Sequence, residues 1–121
     1  MLEISHLTKI YKGGKKAVDD LSLSVAEGDI CGFIGRNGAG KTTTIKCITG
    51  IMDFDEGDVF IGGKSIRTDP IACKRMIAYI PDNPDLYDNL TGVKYLSFIA
   101  DIYRVDKRDR DRLIEKYAAA F

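Results

Sequence analysis

The chain has 121 residues, with 18 Lys and Arg set against 18 Asp and Glu. That length fits one domain with a modest core, and 45% hydrophobic with 30% charged residues excludes a disordered or low-complexity chain. Zero formal net charge argues against a general nucleic-acid coat and against a polybasic membrane binder.

In chain order, residues 2–10 alternate with Leu2, Ile4 and His6 on one face, which predicts a half-buried strand. Gly13-Gly14 breaks it. Ala17-Val18 and Leu21 to Val25 then alternate as a second strand, ended by the turn Glu27-Gly28-Asp29. The connection is too short for a parallel crossover, so the two strands are expected to pair antiparallel. Ile30-Cys31-Gly32-Phe33-Ile34 is a continuous apolar run, the pattern of a strand buried on both faces. A glycine-rich turn follows over 35–40, and then a helix from Lys41 to Thr49 stopped by Gly50. Val59-Phe60-Ile61 with Gly62-Gly63 predicts a strand and tight turn, and Asp69-Pro70 opens a short helix through Lys74. Ile77-Ala78-Tyr79-Ile80 has the pattern of another buried strand, ended by Pro81 and a loop over 81–90. From Thr91, a plausible N-cap, Val93, Leu96, Ile99 and Tyr103 keep helical spacing, and 107–121 carries a second helix with Leu113, Ile114 and Tyr117 on its apolar side. The first 90 residues are therefore sheet-rich and 91–121 helical.

The N-terminus lacks a basic segment followed by an apolar run, so no secretory signal is read there, and no apolar stretch is long enough to span a bilayer. Cys31, Cys47 and Cys73 form no CxxC pair, and the single histidine, His6, does not complete a zinc site with them. Reduced, structural thiols in a cytosolic protein are the expectation. Asp53, Asp55, Glu56 and Asp58 make an acidic run, but Gly57 falls in the wrong slot for a calcium loop, so the run reads as a solvated turn.

Gly35-Arg36-Asn37-Gly38-Ala39-Gly40-Lys41-Thr42 matches G-x-x-x-x-G-K-[ST] without a gap, between an apolar run and a helical segment. Glycines there let successive backbone N–H groups of Gly35, Asn37, Gly38, Ala39 and Gly40 close around an anion, and the helix adds its free N-terminal N–H groups and positive dipole end. Lys41 would reach the β- and γ-phosphates, Thr42 would offer its hydroxyl to Mg²⁺, and Thr43 would bond the α-phosphate. The bland alternative is a glycine-rich turn that binds nothing.

Several further segments match one family in order. Lys9-Ile10-Tyr11, Ala17-Val18-Asp19-Asp20-Leu21-Ser22-Leu23, the Walker A stretch G-R-N-G-A-G-K-T-T-T, Asp55 through Gly63, Ile77 through Asp82, and Leu86 through Thr91 together resemble the N-terminal half of an ATP-binding cassette (ABC) ATPase subunit. The resemblance implies an α/β P-loop fold: a nucleotide-binding core over 1–90 with an N-terminal antiparallel β subdomain, and the start of a helical subdomain over 91–121, the whole truncated. It implies ATP and Mg²⁺ as cofactors. It makes Tyr11 the aromatic that stacks on adenine, against the alternative of a strand-end tyrosine packing on the sheet. Asp82 stands where the family usually has Gln; it either helps hold Mg²⁺ with Thr42 or is a solvated loop aspartate.

No LSGGQ-like stretch occurs, no apolar run ends in Asp-Glu, and His6 is at the wrong end to be a switch histidine. The expectation is therefore an N-terminal fragment that does not hydrolyse ATP alone, is marginally stable or self-associates through an unpaired sheet edge, and belongs to a protein that dimerises around two nucleotides. That protein would form a homodimer or heterodimer of ATPase subunits on the cytoplasmic, inner face of a membrane and drive a membrane-spanning transporter subunit, an exporter being favoured, with no nucleic-acid partner. The alternatives are a soluble ABC ATPase of translation or repair and a non-catalytic nucleotide-binding module.

Overall fold

The computed structural model describes residues 1–82, 87 and 89–120. Leu86 and Asp88 of the segment compared with the family, and Phe121, lie outside the described residues. The chain divides into two compact units, Met1–Tyr79 and Ile80–Phe121, a boundary that precedes the 81–90 loop.

The first unit is built on a four-stranded antiparallel sheet. Its strands are β1 (Leu2–Ile10), β2 (Lys16–Val25), β3 (Glu56–Ile61) and β4 (Lys64–Ser65), in the spatial order β2-β1-β3-β4. The expected hairpin of the first two strands forms, with Leu2 opposite Val25 and Ile4 opposite Leu23. On its other edge β1 places Ile4 opposite Val59 and Leu2 opposite Ile61. Alternation brings Ile4, Val18, Val59 and Ile61 into one core, and the irregularity after Ile4 adds Leu7 to it in place of the expected His6, which is exposed. Two helices of this unit, α1 (Lys41–Ile48) and α2 (Pro70–Lys74), bring Cys47 and Cys73 into the same cluster, both with no exposed surface. Asp69 caps α2 by accepting the Ala72 N–H at 3.2 Å.

The register slips between Ile4 and Leu7 and again between Leu7 and Lys9. His6 and Asp20 sit at these irregularities with φ of 51° and 49°, left-handed values that non-glycine residues rarely adopt. Side chains stabilise the distortion. Ser22 Oγ accepts the His6 N–H at 3.0 Å, Thr8 Oγ1 accepts the Asp20 N–H at 3.0 Å, and His6 Nδ1 lies 2.7 Å from Asp20 Oδ1. Gly57, with φ of 84°, closes against this bulge; a Cβ there would fall 2.3 Å from the Ser5 and His6 carbonyl oxygens.

Two sequence expectations fail. Residues 30–34 and 77–80 form no strand. Ile30 and Ile34 are 101% and 94% exposed, and Ile80 is 87% exposed. A doubly covered strand takes its hydrogen bonds and both its covers from neighbours, and among the described residues no strand lies alongside either run. Apolar composition alone does not make a strand.

The second unit contains α3 (Gly92–Ile102) and α4 (Lys107–Ala118). Thr91 caps α3 as expected, its hydroxyl accepting the Lys94 N–H, and Asp106 caps α4 by accepting the Arg108 N–H at 2.8 Å. The Tyr87 ring meets Phe98 edge-on at 6.0 Å and Tyr95 at 6.2 Å. Arg110 reaches Asp101 across the two helices at 3.4 Å, and Lys107 pairs with Asp111 at 3.1 Å one turn on. Leu96, Phe98 and Ile102 of α3 remain exposed, as do Leu113 and Tyr117 of α4.

The free cysteines report on this arrangement. Burial pushes the Cys47 and Cys73 thiols up, so both stay protonated and unreactive near neutral pH. Cys31 is exposed within the unpaired run. Maleimide labelling followed by mass spectrometry is expected to modify Cys31 in the native chain and to reach Cys47 and Cys73 only on unfolding; protection of all three would mean that 30–34 is covered.

Candidate functional site

The glycine-rich loop begins at Gly35, turns through an Ala39 N–H to Arg36 C=O hydrogen bond of 3.1 Å, and ends at Gly40, the N-cap of α1. Gly40 has φ of 90°, and a Cβ on it would stand 2.2 Å from the Ala17 carbonyl oxygen of β2. The left-handed backbone and the close approach both require glycine here. The sheet thereby fixes where α1 starts.

The helix start is open. Its first backbone bond runs from the Thr44 N–H to Gly40 C=O at 2.8 Å, and Gly40 supplies no side-chain cap. The N–H groups of the first turn have no intrahelical partners by helix geometry, and no acidic residue stands in that turn to take them. The Thr44 hydroxyl turns back to Gly40 C=O at 2.9 Å and is buried, so it is not part of the opening. Lys41 is folded over the loop, its Nζ donating to the carbonyl oxygens of Gly35 and of Arg36, the latter at 2.9 Å. A positive dipole end, unclaimed N–H groups and an ammonium held only by two carbonyls make an anion-receptive corner. Asn37, Gly38, Ala39 and Thr42 are exposed around it.

Tyr11 joins this corner from the sheet. It follows directly on β1, its N–H donates to Lys15 C=O at 2.9 Å, and the residue is 39% exposed. Its hydroxyl is 3.0 Å from Thr43 Oγ1 on α1 and 3.6 Å from the Met52 sulfur. The structure therefore brings together Tyr11, Gly35 through Gly40, Lys41, Thr42 and Thr43. Asp82 lies in the other compact unit and is exposed.

The acidic run is more than a solvated turn. Asp58 accepts from the Ser65 hydroxyl at 2.6 Å, and Asp55 accepts the backbone N–H of Ile10, the residue before Tyr11, at 2.7 Å. Nothing in the local pattern marks the Asp55 contact, because it joins residues 45 apart in sequence. Among the described residues no group of three or more His, Cys, Asp or Glu is placed to hold a metal ion, and no helix is long and apolar enough to cross a membrane.

Known proteins resemble this chain in sequence and fold. A family model described as ABC transporter matches residues 18–120. An uncharacterised ABC transporter ATP-binding protein, YhcH of Bacillus subtilis, is 40% identical over 95% of this chain and 38% of its own length. The SkfA peptide export ATP-binding protein SkfE of the same organism is 39% identical over 90% of this chain and 44% of its own. A solved structure of an ATP-binding subunit of an ABC transporter superposes with a TM-score of 0.85 at 35% identity, covering 93% of this chain and 46% of that one. The chain thus spans less than half the length of these relatives. With the family model covering most of its residues and the α/β fold shared with a solved cassette, the chain belongs to the ABC transporter family, among its ATP-binding subunits.

Proposed function

We propose that this chain binds ATP with Mg²⁺ at residues 35–43, as part of the nucleotide-binding subunit of an ABC transporter. The observation that carries the reading is the uncapped start of α1, held against β2 by Gly40 with the Lys41 ammonium beside it. The residues fit a polyphosphate: Gly40 rests against β2 and adds no side-chain cap to the helix start, and no carboxylate stands in the first turn to compete.

On this reading the N–H groups of the loop and the first turn take phosphate oxygens. Lys41 exchanges its two carbonyl partners for the β- and γ-phosphates, replacing neutral acceptors by anionic ones. The Tyr11 ring takes the adenine face, with its hydroxyl anchored on Thr43. Thr42, exposed at the helix start, is the side chain assigned to Mg²⁺, which would neutralise phosphate charge when bound; a metal role for Asp82 rests on the family resemblance alone.

In the whole protein, two such subunits would pair as a homodimer or heterodimer around two nucleotides and drive a membrane-spanning partner from the cytoplasmic face. Export is the favoured direction, supported by the name of the SkfE relative. Hydrolysis needs a water-positioning carboxylate and the signature segment of the opposing subunit. The 121 residues contain no apolar run ending in Asp-Glu and no LSGGQ-like stretch, so they bind without turnover.

Two outcomes are expected. In calorimetric titration, Lys41→Ala weakens MgATP binding by about tenfold or more, the scale of a charge-assisted contact, with the thermal transition little changed because the side chain crosses the loop surface. Phosphate release by the 121 residues stays at background. Unchanged affinity in Lys41→Ala would contradict the phosphate assignment, and turnover would contradict the division of labour.

A further inference from the structure

β1 runs on past the end of β3. The ladder between them closes at Thr8 opposite Glu56, with the Asp55 N–H donating to Thr8 C=O at 2.9 Å. Backbone groups of a strand alternate in direction, so Ile10, two residues on, turns its N–H to the same edge. No strand residue is paired with Ile10 on that edge. The Asp55 carboxylate takes the place of one: Oδ2 accepts the Ile10 N–H at 2.7 Å. The Lys9 ammonium, only 17% exposed, stands 3.7 Å from the same oxygen.

Asp55 is itself held. The Arg67 guanidinium lies 4.2 Å over the Phe54 ring, and its Nε donates to Gly57 C=O at 2.9 Å. Its Nη2 donates to Phe54 C=O at 3.2 Å and to Asp55 C=O at 3.4 Å. One planar cation therefore pins the turn 54–57, and the turn pins the last residue of β1. The next residue is Tyr11, whose own N–H is tied to Lys15 on the opposite edge and whose hydroxyl meets Thr43. The ring projects from a backbone anchored on both sides, and Asp55 supplies one of those anchors through a side chain.

We propose that Asp55 is a positioning residue for Tyr11, its hydrogen bond to the Ile10 N–H setting where the aromatic ring stands at the nucleotide site. This rests on the reading of Tyr11 as the base platform. An aspartate that merely stabilised the sheet would affect every ligand of the loop alike, whereas one that places the ring affects the base and spares the phosphates.

The test titrates ATP and inorganic tripolyphosphate into wild-type chain, Asp55→Ala, Asp55→Asn, Tyr11→Ala and the Tyr11→Ala/Asp55→Ala double variant, with amide hydrogen exchange followed at Ile10 and Tyr11. Asp55→Ala is expected to weaken ATP binding by about three- to tenfold, the effect of one lost hydrogen bond, and to leave tripolyphosphate within about twofold. Asp55→Asn, which keeps an acceptor oxygen, recovers most of the lost ATP affinity, and the double variant is no weaker than Tyr11→Ala. Exchange at Ile10 and Tyr11 rises in Asp55→Ala. Unchanged exchange, an equal loss for ATP and tripolyphosphate, or additive losses in the double variant would overturn the proposal. Raised exchange together with unchanged ATP affinity in Tyr11→Ala supports the clamp and overturns the base platform instead.

Discussion

Everything at the candidate site depends on how closely the end of the glycine-rich loop approaches the sheet. Gly40 lies so near the Ala17 carbonyl of β2 that a single added carbon would sit 2.2 Å from that oxygen. This contact sets where α1 begins, and hence where its uncapped N–H groups and the Lys41 ammonium point. β2 supplies the surface on which Gly40 rests, and β1 ends in the tyrosine that reaches Thr43 on the same helix. A hairpin and a helix are thus locked at two places, one by a missing side chain and one by a pair of hydroxyls.

The core beneath this arrangement is small. Ile4, Leu7, Val59, Cys47 and Cys73 are essentially without exposed surface, while Ile30, Ile34 and Ile80 lie in solvent. Burial of an aliphatic side chain contributes about 2 kcal/mol, so the sheet face covered by α1 and α2 carries the stability of the first unit. Ile30, Ile34 and Ile80 contribute none of it, whereas Ile77 packs partly buried against the core. The site leans on the part of the fold that is packed, which is why its geometry is defined although the apolar run leading into the loop is not paired.

The sequence made some of this legible and not the rest, for physical reasons. The Walker A spacing, the helix from Lys41 and the alternating hairpin strands are local signals: a chain conformation, a dipole and a two-residue period, each encoded within a few residues. The assignments at 30–34 and 77–80 failed because strand formation belongs to the neighbours as much as to the run itself. The left-handed pair at His6 and Asp20, joined at 2.7 Å, has no signal in either residue's surroundings. Asp55 read as one more acid in a solvated turn, yet its carboxylate completes a ladder 45 residues away. Family resemblance singles out Tyr11, whereas its hydroxyl bond to Thr43 has no sequence signal, because hydrogen bonds across 32 residues leave no pattern.

The Gly40–β2 contact is what shapes the proposed anion site. The measurement that tests it most directly is a titration of MgATP into Gly40→Ala beside the wild-type chain, with circular dichroism and thermal unfolding on the same samples. ATP affinity is expected to fall by about tenfold or more, since a left-handed non-glycine residue and a backbone clash of this kind displace the helix start, while the strand signal of the sheet persists. Binding by Gly40→Ala as tight as by wild type, with the sheet intact, would contradict it.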